Sequence, residues 1–420
     1  MKLSAVTLPS CYKKISQDSL YKNSSLLLLS YLSLAFSGFI FWLVCAKLYS
    51  STDVGIASTL YAMITLVLLV SRFGLEQSVI RFSQEIDKDN LVYTSATLST
   101  ALSVVLGLVL ILFLNHSASS INITREYYLL LLTFIVANSV INIAGVSFLA
   151  LRKAQYYLIQ TIIIGLKIPI VLILTPLGFL GIICAIGFPL IFAALLSMYF
   201  LYTCGLRKGN LDIGFIRASF KFSLANYLSS LFITAPGTLL PIIVFQTLDS
   251  SATALYYIAF SIASVLLMIS NAVCNTLFVE GNYTANIRDI VINSTKIHIL
   301  LLFPAVVFIL LFGGQILAIF GGFYENGYSL LGLMALGSIF SSICYEYFAI
   351  QKIKKNNRSL IIFSGIAFIL HMSLSVVFIH PYGIAGLGYA WILGYGTTAG
   401  AIMLHAWVKN EQLFQKQLKI

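Results

Sequence analysis

Four ionisable residues stand out because their surroundings are apolar and their spacing suits ligand chemistry. Arg72 and Glu76 lie in the run Ser71-Arg72-Phe73-Gly74-Leu75-Glu76-Gln77-Ser78. Four residues apart on a helix, they share one face and can pair with each other. The same face can instead offer the Arg72 guanidinium, a fork of donors, to phosphate oxygens. Gly74 and Ser78 on adjacent turns would let another helix approach closely. Lys167 lies about 20 Å along a helix that starts near Ala154, at 1.5 Å per residue. Two readings are open for it: a side chain reaching toward headgroups or a backbone carbonyl, or a cation lining a cavity. Lys47 ends the first apolar stretch. Charges inside a bilayer cost roughly 2.5–3.5 kcal/mol each on insertion scales, so they need water or a partner. Arg72, Lys167, Lys47 and Glu76 are therefore the candidate ligand-binding residues.

The second half is poorer in such groups. Opposite Arg72 it offers Ala272 within Ser270-Asn271-Ala272-Val273, a polar but neutral face. Glu280 and Glu346 fall toward span ends, where neighbouring bases could neutralise them. His298 and His371 lie nearer mid-span, where a hydrogen-bonded helix contact is the plainer reading than a proton relay. The expected cavity is cationic in the first half, neutral and aromatic in the second. Cys45, Cys184, Cys274 and Cys344 read as small buried hydrophobes, and no Cys or His spacing suits a metal. GxxxxGK[ST], HExxH and GxSxG motifs are all missing. The longest outer loop, about 115–125, is too short for a catalytic domain. A non-enzyme without a cofactor is expected.

The elements that must carry these residues are membrane helices. The 420 residues are 59% hydrophobic and 9% charged, where a soluble domain is about one quarter charged. Apolar runs near the roughly 20 residues a bilayer core requires succeed one another. They fall near 24–47, 54–82, 91–114, 125–150, 154–176 and 178–203, then 218–246, 251–280, 288–312, 328–350, 357–379 and 383–408. Continuous rather than alternating, they exclude barrel strands. Basic residues cluster in alternate gaps: Arg81 and Lys88, Arg152 and Lys153, Arg207, Lys208, Arg217 and Lys221, Arg288 and Lys296, Lys352 to Arg358. Short basic loops stay cytoplasmic, which puts both termini inside. The net charge of +11 then reflects loops facing anionic lipid, not nucleic acid. No cleavable signal peptide is expected, and the first span serves as the targeting signal. The fold class is an all-α polytopic membrane protein of about 12 transmembrane helices.

A weak internal repeat divides the chain. Ser30-Tyr31-Leu32-Ser33 resembles Asn226-Tyr227-Leu228-Ser229, and Leu48-Tyr49-Ser50-Ser51 resembles Leu248-Asp249-Ser250-Ser251. Six spans per unit keep both units in one orientation. The expected organisation is a cytoplasmic segment 1–23, a six-helix bundle 24–203, a linker 204–217, a second bundle 218–408 and a tail 409–420. Of the prolines within spans, Pro236 and Pro241, with Gly237, make the best hinge candidate.

The runs Ala46-Lys47-Leu48-Tyr49-Ser50-Ser51-Thr52-Asp53-Val54-Gly55 and Ser71-Arg72 through Val79-Ile80-Arg81-Phe82 resemble the polysaccharide transporter, O-antigen flippase-like family. That family belongs to the multidrug/oligosaccharidyl-lipid/polysaccharide exporter superfamily. Phe148 to Tyr157 is similar to its fourth-to-fifth helix connection. The resemblance implies two parallel six-helix bundles forming a V around a central cavity, in the plasma membrane. It implies a flippase that moves a polyprenyl-pyrophosphate-linked oligosaccharide, an O-antigen or other surface-polysaccharide repeat unit, from the inner to the outer leaflet by alternating access. Arg72 and Lys167 would meet the pyrophosphate, with Lys47 at the exit. The implied partners are that lipid-linked glycan, membrane lipid and other polysaccharide-assembly proteins. Two alternatives stay open: a cation-coupled multidrug exporter of the same fold, although 24–47 lacks the acid those relatives carry, and a non-transport scaffold of a glycan-assembly complex.

Overall fold

The computed structural model describes residues 19–83, 86–116, 126–283 and 287–417. Lys13, Lys14, Ser119 and Arg125 lie outside them. Among the described residues the chain is helical and has no strand. In order, α1 is Ser19–Leu48, α2 Ser51–Ser71, α3 Leu75–Phe82, α4 Lys88–His116, α5 Glu126–Ala150, α6 Ala154–Ile164 and α7 Lys167–Ile173. Then come α8 Phe179–Thr203, α9 Ile213–Thr247, α10 Ser250–Tyr283, α11 Ile287–Phe320, α12 Tyr328–Ile353, α13 Asn357–Tyr382 and α14 Ala385–Gln417. Eleven spans among the described residues are long and apolar enough to cross a membrane, with α6 and α7 forming one of them. The expected twelfth, 383–408, is present as the helix α14, but its Gly, Tyr and Thr residues dilute its apolarity.

Local chemistry explains the helix boundaries. The Ser50 hydroxyl accepts from the Asp53 N–H at 3.1 Å and donates to the Asp53 carboxylate at 2.6 Å. This is reciprocal N-terminal capping of α2. Asp249 does the same work for α10, its carboxylate accepting from the Ala252 N–H at 2.7 Å. Asn356 caps α13 through the Ser359 N–H. Two spans differ from the continuous helices expected at 54–82 and 154–176. The first breaks between α2 and α3, where Phe73 (φ 48) and Gly74 (φ 73) are left-handed. The second breaks at Gly165-Leu166, where turns close on the Thr161, Ile162 and Ile163 carbonyls.

The chain forms two compact units. One holds residues up to Cys45 with Val70–Ser223; the other holds Ala46–Leu69 with Leu224 onward. Residues 46–69, which the internal repeat assigns to the first half, thus pack with the second unit. In the first unit one core joins Ala137 and Ile141 of α5, Ile163 of α6, and Leu190 and Ala193 of α8. Another joins Leu75 and Val79 of α3 with Leu91, Ile143 and Phe215. The Phe134 ring lies on Gly187, where any β-carbon would be 2.1 Å from it.

The stretch expected as a linker is bound down. The N–H groups of Arg207, Asn210 and Asp212 donate to Asp89, Asn90 and Thr94 of α4, at 3.0, 2.7 and 3.0 Å. Helix α9 has already begun by Ile213. In the second unit the starts of α2 and α10 touch: a β-carbon at Gly55 would lie 1.7 Å from the Ser250 carbonyl oxygen. Only a residue without a side chain allows that approach.

Candidate functional site

In the first unit, Arg72 and Glu76 meet as expected, but across the α2–α3 break rather than along one helix. Arg72 Nε lies 3.2 Å from Glu76 Oε1, with both side chains about one-third exposed. The break is what aims them. Arg72 supplies the carbonyl that accepts from the Leu75 N–H, and the Phe73 ring stacks on Phe220 at 5.4 Å. A bulky residue at positive φ is uncommon, so surrounding packing must hold it there.

Asn142 of α5 completes the group. Its Oδ1 accepts from Arg72 Nη2 at 3.0 Å, while its Nδ2 donates to the Asn138 carbonyl and side chain at 2.8 and 3.0 Å. Tyr157 of α6 lies within electrostatic reach of both Arg72 and Glu76, and its ring packs edge-on against Tyr31. Arg72 thus donates to a neutral amide and faces one carboxylate, and both partners stay partly open to solvent.

Lys167 is elsewhere in the same unit. It opens α7 directly after the Gly165-Leu166 break, and its ammonium sits 5.4 Å from the centre of the Phe41 ring. Among the described residues no carboxylate lies within ion-pair distance of it. A cation at a helix N-terminus gains nothing from the helix dipole, and a ring face offers only part of what water supplies. Lys47, in the last turn of α1, is exposed and belongs to the second unit. There a cation does suit the dipole.

The second unit holds a cavity of about 310 Å³ lined by neutral and aromatic side chains. Its wall includes Tyr257, Phe260, Tyr345, His371, Trp391 and Tyr395, with Asn271 and the Pro236-Gly237 pair of α9. Close helix packing builds it. Gly394 leaves room for the His371 backbone, and the Trp391 indole covers Gly337. The His371 ring then lies 5.4 Å from both Trp391 and Tyr395, and Phe260 lies 6.1 Å from Trp391.

His371 is not the hydrogen-bonded helix contact expected of it. It is 1% exposed, and among the described residues neither ring nitrogen has a hydrogen-bond partner. Trp391 is 3% exposed, and its Nε1 is likewise unpartnered. His298 does fit that expectation, with Nε2 2.9 Å from the Ser270 hydroxyl. Glu346 is held by the Thr295 hydroxyl at 2.5 Å rather than by a base.

Asn138 and Asn142, an amide pair spaced i and i+4 in a largely apolar span, were the readable signal for the Arg72 group. For the cavity the signal was the run Trp391-Ile392-Leu393-Gly394-Tyr395, an aromatic pair one turn apart around a glycine.

Comparison with known proteins agrees with this architecture. A multidrug resistance MATE family transporter of the MOP superfamily, solved inward-facing, superposes with a TM-score of 0.68 at 13% identity, covering 91% of this chain and 95% of that one. An outward-facing transporter of that family gives 0.65 at 14% identity, covering 96% and 98%. The lipid II flippase MurJ, in an inward closed conformation, gives 0.68 at 14% identity, covering 91% and 87%. At these identities the likeness shows the fold alone, a multi-pass helical architecture. No curated protein matches the sequence significantly. A sequence profile of the polysaccharide biosynthesis protein family, however, matches residues 20–278. The chain belongs to the polysaccharide biosynthesis protein family.

Proposed function

We propose that this protein is a flippase that carries a polyprenyl-pyrophosphate-linked oligosaccharide from the inner to the outer leaflet of the plasma membrane. The observation that carries this reading is Lys167, an ammonium within an apolar span and, among the described residues, without a carboxylate partner, in a chain of the polysaccharide biosynthesis family. A cation within a membrane span needs an anion or water, and a pyrophosphate crossing a low-dielectric region needs cations. Arg72 is the second cation, because Asn142 and Glu76 orient its guanidinium without enclosing it. The solved lipid II flippase of this fold supports a lipid-linked cargo by analogy. The work is transport by alternating access, with no bond made or broken and no cofactor assigned. Both termini are assigned to the cytoplasm on the loop charges.

The multidrug transporters among the structural neighbours favour a second reading, cation-coupled drug export. Depleting the protein separates the two. The flippase reading expects lipid-linked glycan to accumulate on the inner leaflet and surface polysaccharide to fall. Unchanged glycan export with increased sensitivity to toxic cations would replace it with the drug-export reading.

A further inference from the structure

We propose that the aromatic cavity of the second unit is a carbohydrate subsite that takes one sugar ring of the transported glycan, with the Trp391 indole and the His371 imidazole as its hydrogen-bonding groups. This rests on the flippase reading for the identity of the cargo, but its geometry is independent of the Arg72 group. Ligand cavities are typically apolar-walled spaces of about 300–1,000 Å³ with a few convergent polar groups, and this one measures about 310 Å³. The hydroxyls of Thr65 and Thr238 are spent on the Tyr61 and Ala235 carbonyls, and Thr234 likewise donates to Ser230. Among the described residues, Trp391 Nε1 and both His371 nitrogens have no hydrogen-bond partner, in near-complete burial. A buried polar group left unpaired costs about 1–3 kcal/mol, so a guest that seats in the cavity and draws the wall in until its hydroxyls meet these atoms recovers that cost.

The chemistry of the wall selects among guests. A quaternary ammonium would use the ring faces but leave the indole N–H and the imidazole nitrogens unmet. Water alone would meet those atoms but wet the faces of Tyr257, Phe260 and Tyr395 for no return. A pyranose ring does both, because its hydroxyls donate and accept at the edge while its C–H face lies on an aromatic ring. Asn271, an amide with two donors and an acceptor, adds a third polar contact on the wall.

The test is saturation-transfer NMR of methyl glycosides with the full-length protein in lipid nanodiscs. The probes are the methyl glycosides of glucose, galactose, N-acetylglucosamine and rhamnose, with glycerol and choline as competitors. At least one glycoside should bind saturably and resist both competitors. Trp391→Phe keeps a ring over Gly337 while removing the N–H, and His371→Phe removes both nitrogens. Each should weaken binding about three- to tenfold, the worth of one hydrogen bond. Silence from all four glycosides, displacement by choline, or unchanged binding in both variants would overturn the subsite. A protein that binds glycosides through Trp391 yet is dispensable for glycan export keeps the subsite and loses the flippase reading. A protein required for export whose glycoside binding ignores both residues does the reverse.

Discussion

The hydroxyls of Ser51 and Ser251 lie 3.3 Å apart. They occupy matching places in the two similar runs Leu48-Tyr49-Ser50-Ser51 and Leu248-Asp249-Ser250-Ser251, Ser51 one residue after the Ser50 cap and Ser251 two after the Asp249 cap. Two helix N-termini, both capped by short polar side chains, therefore meet near the repeat's own symmetry positions. Gly55 against the Ser250 carbonyl brings the backbones together at the same point.

Ser51→Cys with Ser251→Cys, in a background without other cysteines, should cross-link on mild oxidation, since disulfides form only when the two positions are this close. If alternating access parts these helix starts, the oxidised protein should lose glycan export and regain it on reduction. Cross-linking measured by gel shift, with export unaffected, would show that the contact persists through the cycle.

Arg72→Ala and Lys167→Ala should each lower glycan export about tenfold or more, the scale of a lost charge-assisted hydrogen bond, at near-normal protein abundance. Lys167→Arg should be milder because it retains the charge. If Arg72 serves only to pair with Glu76, Arg72→Ala with Glu76→Ala should recover most export. In the phosphate reading the double variant stays inactive, and export measured alongside membrane abundance decides between them.

Single cysteines at Ser119 and Asn210 in a cysteine-free protein should be labelled from opposite faces of the membrane by an impermeant maleimide. Labelling from the same face would remove the assignment of both termini to the cytoplasm.

Gly187→Ala should destabilise the first unit by about 1–3 kcal/mol, the usual cost of overpacking a filled core, because its methyl would press into the Phe134 ring. Gly187→Ala with Phe134→Leu should recover part of this loss in thermal melts in detergent.

Much of the fold was legible because membrane helices announce themselves as continuous apolar runs. Spans such as α8 and α12 begin and end within a few residues of their expected limits. The breaks at Phe73-Gly74 and Gly165-Leu166 were not legible: neither contains proline, and Phe73 adopts a conformation its type disfavours. Arg72 and Glu76 were found from spacing alone, yet their partner Asn142 depends on how α5 is rotated, which spacing does not report. The aromatic cavity was hidden for a different reason. Its wall comes from six helices, α2, α9, α10, α12, α13 and α14, and the pairing of a buried histidine is a property of the packed state.

Arg207 shows one charge employed at two stages of the protein's life. In the proposed topology it counts, during insertion, with Lys208, Arg217 and Lys221 toward the bias that would orient the flanking helices. In the finished fold its guanidinium lies 4.1 Å from the centre of the Tyr202 ring and donates to the Tyr202 and Leu206 carbonyls, closing the end of α8. Biogenesis should tolerate its loss, because Lys208 remains in the loop and Arg217 and Lys221 follow at the start of α9; at the helix end only the backbone turn of Gly205 and Leu206 onto the Tyr202 and Leu201 carbonyls would remain. Arg207→Gln should therefore yield a correctly oriented protein whose α8 terminus frays, so that a defect in maturation and a defect in architecture can be told apart at one position.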